Sequence, residues 1–180
     1  HVDLDDAAQV QSLKTTLAPI HVQVNDLRRN PAFLDWLKTP AGELYTAARD
    51  GTHPCYAAAI DVLRFGWILK RHGGVYLDMD DVVLKHWAEV GELRAGPSQL
   101  LSGGPVNQAL LELDWDIATS HIGSQPGNPL LDRVVETMVE RAARKPNFFN
   151  VPRRGNAQEF ARELSALTGP GVLRDVLEQH

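Results

Sequence analysis

The sequence has little of what disulfide-stapled, membrane-spanning or nucleic-acid-binding proteins are built from. Its 180 residues contain one cysteine, Cys55, so neither an internal disulfide nor a structural zinc site can form from cysteine alone, and we expect a buried small residue there. Apolar runs are short and broken by charges, far below the roughly 20 residues that a membrane span needs. The net charge is −5, and Lys and Arg are spread along the chain. We therefore expect no transmembrane segment and no nucleic-acid partner.

What remains is the composition of a globular, soluble protein. The apolar fraction is 43% and the charged fraction is 23%, which argues against a disordered or fibrous chain. A chain of this length buries roughly 70% of its unfolded surface, so we expect a single domain over residues 1–180. Because the sequence begins with His1 rather than Met, we interpret it as a fragment or trimmed chain. The lack of a targeting signal therefore leaves localisation open.

Helix signals dominate the first part of the chain. Residues 17–24 alternate well enough for a short strand. Asn30 before Pro31 indicates a helix N-cap followed by proline in the first turn, with the helix running towards Pro40. A further helix over residues 41–50 ends at a glycine.

The clearest helix covers residues 54–72 and stops at the glycine pair 73–74. Gly66 in its middle costs about 1 kcal/mol relative to alanine, which indicates that another element packs closely there. The apolar residues recur at three- and four-residue steps, which predicts one buried face. They include Tyr56, Ile60, Leu63 and Trp67.

After the glycine pair the apolar period changes from that of a helix to that of a strand. Strands are predicted at residues 75–78, 82–84 and 115–122, and residues 100–107 are predicted to be a strand that runs into a Gly-rich turn. Helices are predicted at residues 129–144 and 156–169, followed by a short terminal helix. Because helices and strands alternate, we expect a mixed α/β layer fold.

The acidic break after the first of these strands is the main candidate site. In an extended strand Tyr76, Asp78 and Asp80 point the same way, about 6.6 Å apart along the chain. Two carboxylates at one spot suit a hard divalent cation such as Mg²⁺ or Mn²⁺. Asp81 should face the other way if the strand stays regular, in a supporting or solvent role. Acidic turns are also common at strand ends, because Asp makes local backbone hydrogen bonds, so this pattern alone leaves both interpretations open.

Asp61 and Arg64 form a second candidate pair, on the preceding helix. They lie three residues apart, so they share a helix face, and both interrupt an apolar run in which an unpaired charge would be costly. An intrahelical salt bridge and a contact with a polar ligand explain this pattern equally well.

Residues 57–84 resemble the sugar-binding segment with an Asp-x-Asp motif of Och1-like mannosyltransferases and of the glucosyltransferase domains of large clostridial toxins. These families share Asp, Arg three residues later, Gly-Gly, an apolar–aromatic pair and Asp-x-Asp. In this chain the pattern falls on Asp61, Arg64, Gly73, Gly74, Val75, Tyr76, Asp78 and Asp80. A weaker similarity covers residues 120–135 and 167–172, with Asn128 where the Och1-like group often has histidine.

The resemblance implies a GT-A fold, a Rossmann-like α/β sandwich that binds a nucleotide sugar, with the usual first strand not recognisable before residue 20. It also implies retaining transfer of a hexose from a UDP- or GDP-linked donor to a protein or glycan. Asp80 would bind Mn²⁺ or Mg²⁺, and Asp78 would bridge ribose, sugar and the metal's water shell. Asp61 and Arg64 would hold sugar hydroxyls and the phosphate-linked oxygen, so Asp61, Arg64 and Asp78 are the expected catalytic residues. Tyr76 would pack beside the nucleotide or in the core.

Other interpretations remain open. A non-catalytic sugar-nucleotide-binding module or inactive remnant has the same motif, whereas a metal-dependent phosphohydrolase needs more His and Asp ligands than we find. His121, Asp114 and Asp116 could touch an acceptor or have structural or surface roles. His72 is expected to cap its helix, where a partly charged imidazole suits the dipole. The resemblance leaves localisation open between a secreted bacterial effector and a cytoplasmic enzyme.

Overall fold

The computed structural model describes residues 1, 3, 6–78, 81, 89, 91–103, 105–108, 113–152 and 155–179. Its helices are α1 (Ala7–Leu17), α2 (Pro31–Trp36), α3 (Pro40–Asp50), α4 (Tyr56–Leu63), α5 (Lys70–His72), α6 (Pro129–Ala143), α7 (Ala157–Leu167) and α8 (Pro170–Glu178). Its strands are β1 (Gly74–Leu77), β2 (Leu100–Ser102), β3 (Pro105–Gln108), β4 (Leu113–Ile117) and β5 (His121–Ser124). The predicted strand at residues 82–84 lies outside the described residues.

The first elements confirm the predicted helix starts but not the predicted first strand. The side chain of Asn30 accepts hydrogen bonds from the backbone N–H groups of Ala32 and Phe33, and Pro31 begins α2. The predicted strand at residues 17–24 is wrong, because a 3₁₀ turn covers Ala18–Ile20 and His21 takes a left-handed conformation with φ 58°. Proline in the first turn of that 3₁₀ segment favours the helical over the extended backbone.

The predicted long helix is present, with a π-helical segment inside it. α4 continues as a π-helix over Arg64–Leu69 and ends as α5. Gly73 then takes φ 63°, and a Cβ on it would lie 2.5 Å from the Cδ of Pro126, so glycine is required at this stop. The close approach expected at Gly66 is confirmed, since a Cβ there would lie 3.2 Å from the Cζ2 of Trp36.

The buried face of this helix differs from the predicted one. Leu63 and Trp67 are buried as expected, but Tyr56 is 69% exposed and Ile60 is 39% exposed. The side chains of Ala58 and Ala59 are buried instead, in a helix that packs against α3. Tyr56 and Ile60 therefore lie on the side of α4 that faces a surface cavity.

The strands form a three-stranded sheet in the order β1-β5-β2 and a two-stranded sheet of β3 and β4. β5 pairs antiparallel with both neighbours, with Leu77 opposite His121 and Leu100 opposite Ser124. The prediction of one strand over residues 115–122 is wrong. β4 ends at Ile117 and pairs in one sheet, whereas β5 begins at His121 and pairs in the other, and between them the carbonyl of Thr119 accepts a hydrogen bond from Arg64.

The hydrophobic core lies between the helices and these sheets, and it includes the predicted buried Cys55. α8 contacts β4 and both α6 and α7, while α6 packs along the π-helical segment. This mixed arrangement confirms the α/β prediction. No helix in the described ranges is long and apolar enough to cross a membrane. The end of β1 and the middle of the α4–α5 helix are thereby held side by side.

Candidate functional site

The end of β1 places Tyr76 and Asp78 on one face, as predicted. The hydroxyl of Tyr76 donates a hydrogen bond of 2.6 Å to Oδ1 of Asp78. The backbone N–H of Asp78 donates to the carbonyl of Ser120 at 2.8 Å, which extends the pairing with β5 by one residue. The carboxylate is therefore held by both its backbone and its neighbour in the strand, and about a third of its side chain is exposed.

Asp81 has the supporting position that the sequence predicts. Its Oδ2 accepts a hydrogen bond of 3.2 Å from the backbone N–H of Asp78, and its own N–H donates to the carbonyl of Asp78 at 3.1 Å. The carboxylate of Asp81 thus closes the turn that follows β1. Asp80, the second carboxylate of the motif, lies outside the described residues.

Asp61 and Arg64 form a buried ion pair at the point where α4 becomes π-helical. Nη2 of Arg64 donates to Oδ1 of Asp61 at 2.5 Å, and Nη1 donates to the carbonyl of Thr119. Nη1 also lies 3.8 Å from Oδ1 of Asp78, and the guanidinium stands 4.6 Å above the ring of Tyr76. Arg64 is therefore positioned between the two carboxylates that the sequence motif predicts to act together.

This cluster has capacity left for a ligand. Nε of Arg64 is buried and has no hydrogen-bond partner among the residues described. A guanidinium carries five N–H donors, of which the contacts with Asp61 and Thr119 use two. The sequence pattern of Asp61 and Arg64 is compatible with a salt bridge or with a ligand contact. The salt bridge is present, and the unused donors allow the ligand contact as well.

Burial shifts the protonation of the cluster. It raises the pKa of Asp61 to about 7, because loss of hydration outweighs the attraction and hydrogen bond of Arg64, and the charge of Asp78 raises it further. Burial is also the main cause that raises the pKa of Tyr76, with its hydrogen bond to Asp78 acting in the same direction. The phenol thus remains a hydrogen-bond donor to Asp78 throughout the neutral range.

The raised pKa of Asp61 predicts how stability depends on pH. Between the ordinary value of 3.8 and about 7, the folded protein keeps a proton that the unfolded chain has lost. The stabilisation that comes from this bound proton is fully present below pH 3.8 and is lost as the pH rises through about 7, so the free energy of unfolding falls across that window.

Asp61→Asn keeps the acceptor for Arg64 but removes the titration. Urea denaturation at pH 5 and pH 8 should show a larger loss of unfolding free energy for the wild-type chain than for Asp61→Asn, and equal losses would contradict the shift.

Asp116 is a site residue whose place the sequence did not predict. It lies in β4 and is fully buried, with Oδ1 accepting from the N–H of Ile117 at 2.9 Å. The hydroxyl of Ser165 on α7 lies 3.4 Å from Oδ2. Burial is the main cause that raises the pKa of Asp116. Of the roles left open for this residue, a surface role is excluded by its burial.

The remaining polar candidates have structural contacts. Asn128 is buried and caps α6, accepting from the N–H of Leu130 and donating to Ser124. Nδ1 of His121 lies 2.9 Å from the hydroxyl of Ser120. Asp114 lies in β4. His72 ends α5 as predicted, but burial and Arg71 lower its pKa, which disfavours the charged imidazole that was expected.

A cavity of about 490 Å³ is lined by the Asp61–Arg64–Asp78 cluster and by Asp116. Its charged side is formed by Asp61, Arg64, Asp78 and Asp116. Its apolar side is formed by Tyr56, Ala57, Ile60, Ala161, Leu164 and Pro170. The volume is within the range of pockets that hold small molecules.

The described part of the cavity fits a hard cation only in part. Both described partners of the Asp78 carboxylate contact Oδ1, and the side chain remains partly exposed at the cavity. A carboxylate oxygen is the kind of ligand that Mg²⁺ and Mn²⁺ prefer. Within the described ranges no three His, Cys, Asp or Glu side chains gather as a metal site. A further ligand would have to come from Asp80 or from another residue.

Comparison with known families decides the class of protein. Residues 3–96 match the family described as "Glycosyltransferase sugar-binding region containing DXD motif", and this match covers more than half of the chain. The chain belongs to this glycosyltransferase family. The resemblance noted from Asp61 to Asp80 is thereby confirmed, and the chain is classed with enzymes that transfer sugars.

The fold of the chain is similar to that of a solved glycosyltransferase structure. A solved structure titled "PaToxG Glycosyltransferase" matches with a TM-score of 0.71 at 20% sequence identity, over 98% of this chain. This match confirms the GT-A type of fold that was predicted. The chain spans 55% of that solved chain. No curated protein sequence matches significantly.

Proposed function

We propose that this glycosyltransferase binds a UDP- or GDP-linked hexose together with Mn²⁺ or Mg²⁺ and transfers the hexose, with retention at the anomeric carbon, to a protein or glycan hydroxyl. The observation that carries the proposal is the position of Arg64. Its guanidinium lies between the carboxylates of Asp61 and Asp78 on the wall of one cavity. A donor that has both a charged diphosphate and a polar sugar needs this combination of groups.

Asp78 and Asp80 would hold the cation, which when bound would stabilise the negative charge that develops on the departing diphosphate. Tyr76 fixes the orientation of Asp78 through its hydroxyl. This hydrogen bond keeps one oxygen of Asp78 engaged and directs the rest of the carboxylate to the cavity.

Arg64 and Asp61 would orient the sugar and its phosphate-linked oxygen. The bonds from Arg64 to Asp61 and to the carbonyl of Thr119 hold the guanidinium before a donor arrives, so little ordering is needed on binding. Oδ1 of Asp61 accepts from Arg64, which leaves Oδ2 to accept from a sugar hydroxyl. These two residues would therefore distinguish a nucleoside diphosphate sugar from the plain nucleoside diphosphate.

The test of turnover is donor hydrolysis without an acceptor. Release of UDP or GDP is followed together with the anomeric configuration of the freed hexose, by proton NMR before mutarotation. We expect slow, cation-dependent release of the anomer present in the donor. The opposite anomer would overturn retention. Donor binding without any release would leave a sugar-nucleotide-binding module in place of an enzyme.

A further inference from the structure

The cavity beside Asp61 has an apolar side that the proposed donor contacts do not use. Tyr56 and Ile60 lie one turn apart on α4, and Leu164 of α7 and Pro170 of α8 line the same cavity. Single exposed apolar side chains are ordinary on a protein surface. Here Tyr56 and Ile60 are exposed at the wall of a cavity that also contains a buried ion pair.

The contacts along the cavity run from Asp78 through Arg64 to Asp61. Asp78 lies 3.8 Å from Arg64, and Arg64 lies 2.5 Å from Asp61. A Cβ on Gly169 would be 3.5 Å from Oδ2 of Asp61, so the turn that leads into Pro170 adjoins the far side of the pair. If the diphosphate lies at Asp78 and the sugar at Arg64 and Asp61, the turn that leads into Pro170 adjoins the sugar at Asp61.

The chemistry of this wall favours one class of acceptor. A polyhydroxylated acceptor needs a hydrogen-bond partner for each hydroxyl that it buries. The side chains of Ile60, Leu164 and Pro170 offer only carbon surface, and Tyr56 adds an aromatic ring with a single hydroxyl. The nearby hydroxyl of Ser165 is already engaged, with Asp116 at 3.4 Å and with the N–H of Gly171 at 3.1 Å. An acceptor that lays an apolar body on this carbon surface loses no hydrogen bonds of its own by binding.

We propose that this wall, formed by Tyr56, Ile60, Leu164 and Pro170, binds the acceptor, and that the acceptor presents its hydroxyl on an apolar body, as a polypeptide side chain does, rather than on a sugar ring. The inference rests on the proposed transfer function. In that reaction the bond between the anomeric carbon and the diphosphate oxygen breaks, and its electron pair leaves with the diphosphate. The acceptor oxygen forms the new glycosidic bond, and its proton passes to the departing diphosphate.

Methyl NMR on chain labelled at isoleucine tests the site directly. The first probe is a threonine–leucine dipeptide with both ends capped, and the second is methyl α-glucoside. Each is added at millimolar concentration to the protein in the presence of Mg²⁺ and UDP or GDP. We expect the dipeptide to shift the methyl signal of Ile60 and to leave that of Ile20, which is 66% exposed and outside the cavity lining, unchanged. A shift of Ile60 by the glucoside alone would instead indicate a glycan acceptor. No shift by either probe would overturn the proposal.

Matched variants give a second measurement. Ile60→Ser should lower transfer from the sugar donor to the dipeptide roughly tenfold or more relative to donor hydrolysis, since apolar contact is lost on the acceptor side only. Ile20→Ser, at the more exposed position, should leave both rates unchanged. Equal losses of transfer and hydrolysis in Ile60→Ser would mean that the wall contacts the donor, which contradicts the inference. Failure of the nucleotide itself to bind with Mg²⁺ would refute the proposed function instead.

Discussion

Asp78→Asn is expected to remove the metal-dependent part of donor binding, lowering the affinity for the nucleoside diphosphate sugar about 100-fold or more when Mg²⁺ is present. Asparagine keeps the shape of the side chain and can still accept the hydrogen bond from Tyr76. It lacks the negative charge that a hard cation requires, and losses of 10- to 100-fold follow even when only groups behind a metal ligand are changed. Isothermal calorimetry with and without chelator measures the effect.

Asp81→Asn is the matched control for this prediction. An amide oxygen at position 81 can still accept from the N–H of Asp78, so the turn after β1 should be kept. We expect its metal-dependent affinity to stay within a few-fold of the wild-type value, given that its carboxylate is turned back onto the backbone. An equal loss in both variants would mean that general negative charge, and not a ligand at Asp78, attracts the cation.

Arg64→Ala is expected to destabilise the protein by about 3–5 kcal/mol, because it leaves the partner of a buried ion pair without compensation. Asp61 is only 6% exposed, and the carbonyl of Thr119 would lose its donor as well. Urea denaturation measures the change. Lys38→Ala provides the comparison, since Lys38 and Asp35 form a pair of the same spacing whose side chains are about three-quarters exposed. That variant should lose less than about 1 kcal/mol.

Substitution of Arg64 by lysine distinguishes a role of this residue in the fold from a role in donor recognition. Arg64→Lys keeps the positive charge but loses the fork that reaches Asp61 and Thr119 together. In this variant we expect a greater loss of affinity for the sugar-bearing donor than for the plain nucleoside diphosphate. Calorimetry with both ligands, at a temperature where the variant is folded, decides the point. Equal losses for the two ligands would mean that Arg64 serves only the fold.

The local part of the site was predictable because its spacings are those of single elements. Asp61 and Arg64 share a helix face, and Tyr76 and Asp78 share a strand face, whatever surrounds them. The glycine stop at residue 73 and the cap at Asn30 are likewise local signals. What joins the two pairs into one cluster is the sheet pairing that places β1 beside the Thr119 carbonyl.

The parts that were missed depend on contacts distant in sequence. Asp116 meets Ser165, 49 positions away, through the packing of α8 on β4 and of α7 on α8, and no pattern in the sequence reports that contact. Tyr56 and Ile60 have the spacing of a buried face, yet α4 buries the adjacent Ala58 and Ala59 instead, so tertiary packing overrode the apolar period. The strand predicted at residues 17–24 failed because Pro19 favours a 3₁₀ turn there.

The most direct test of the account is calorimetric titration of the wild-type chain with UDP-glucose, UDP-N-acetylglucosamine and GDP-mannose, each with Mg²⁺ and with chelator. The account predicts that a nucleoside diphosphate sugar binds when the cation is present and that this binding is lost in chelator. Binding of every donor equally well in chelator would contradict the central claim that Asp61, Arg64 and Asp78 form a metal-dependent sugar-donor site.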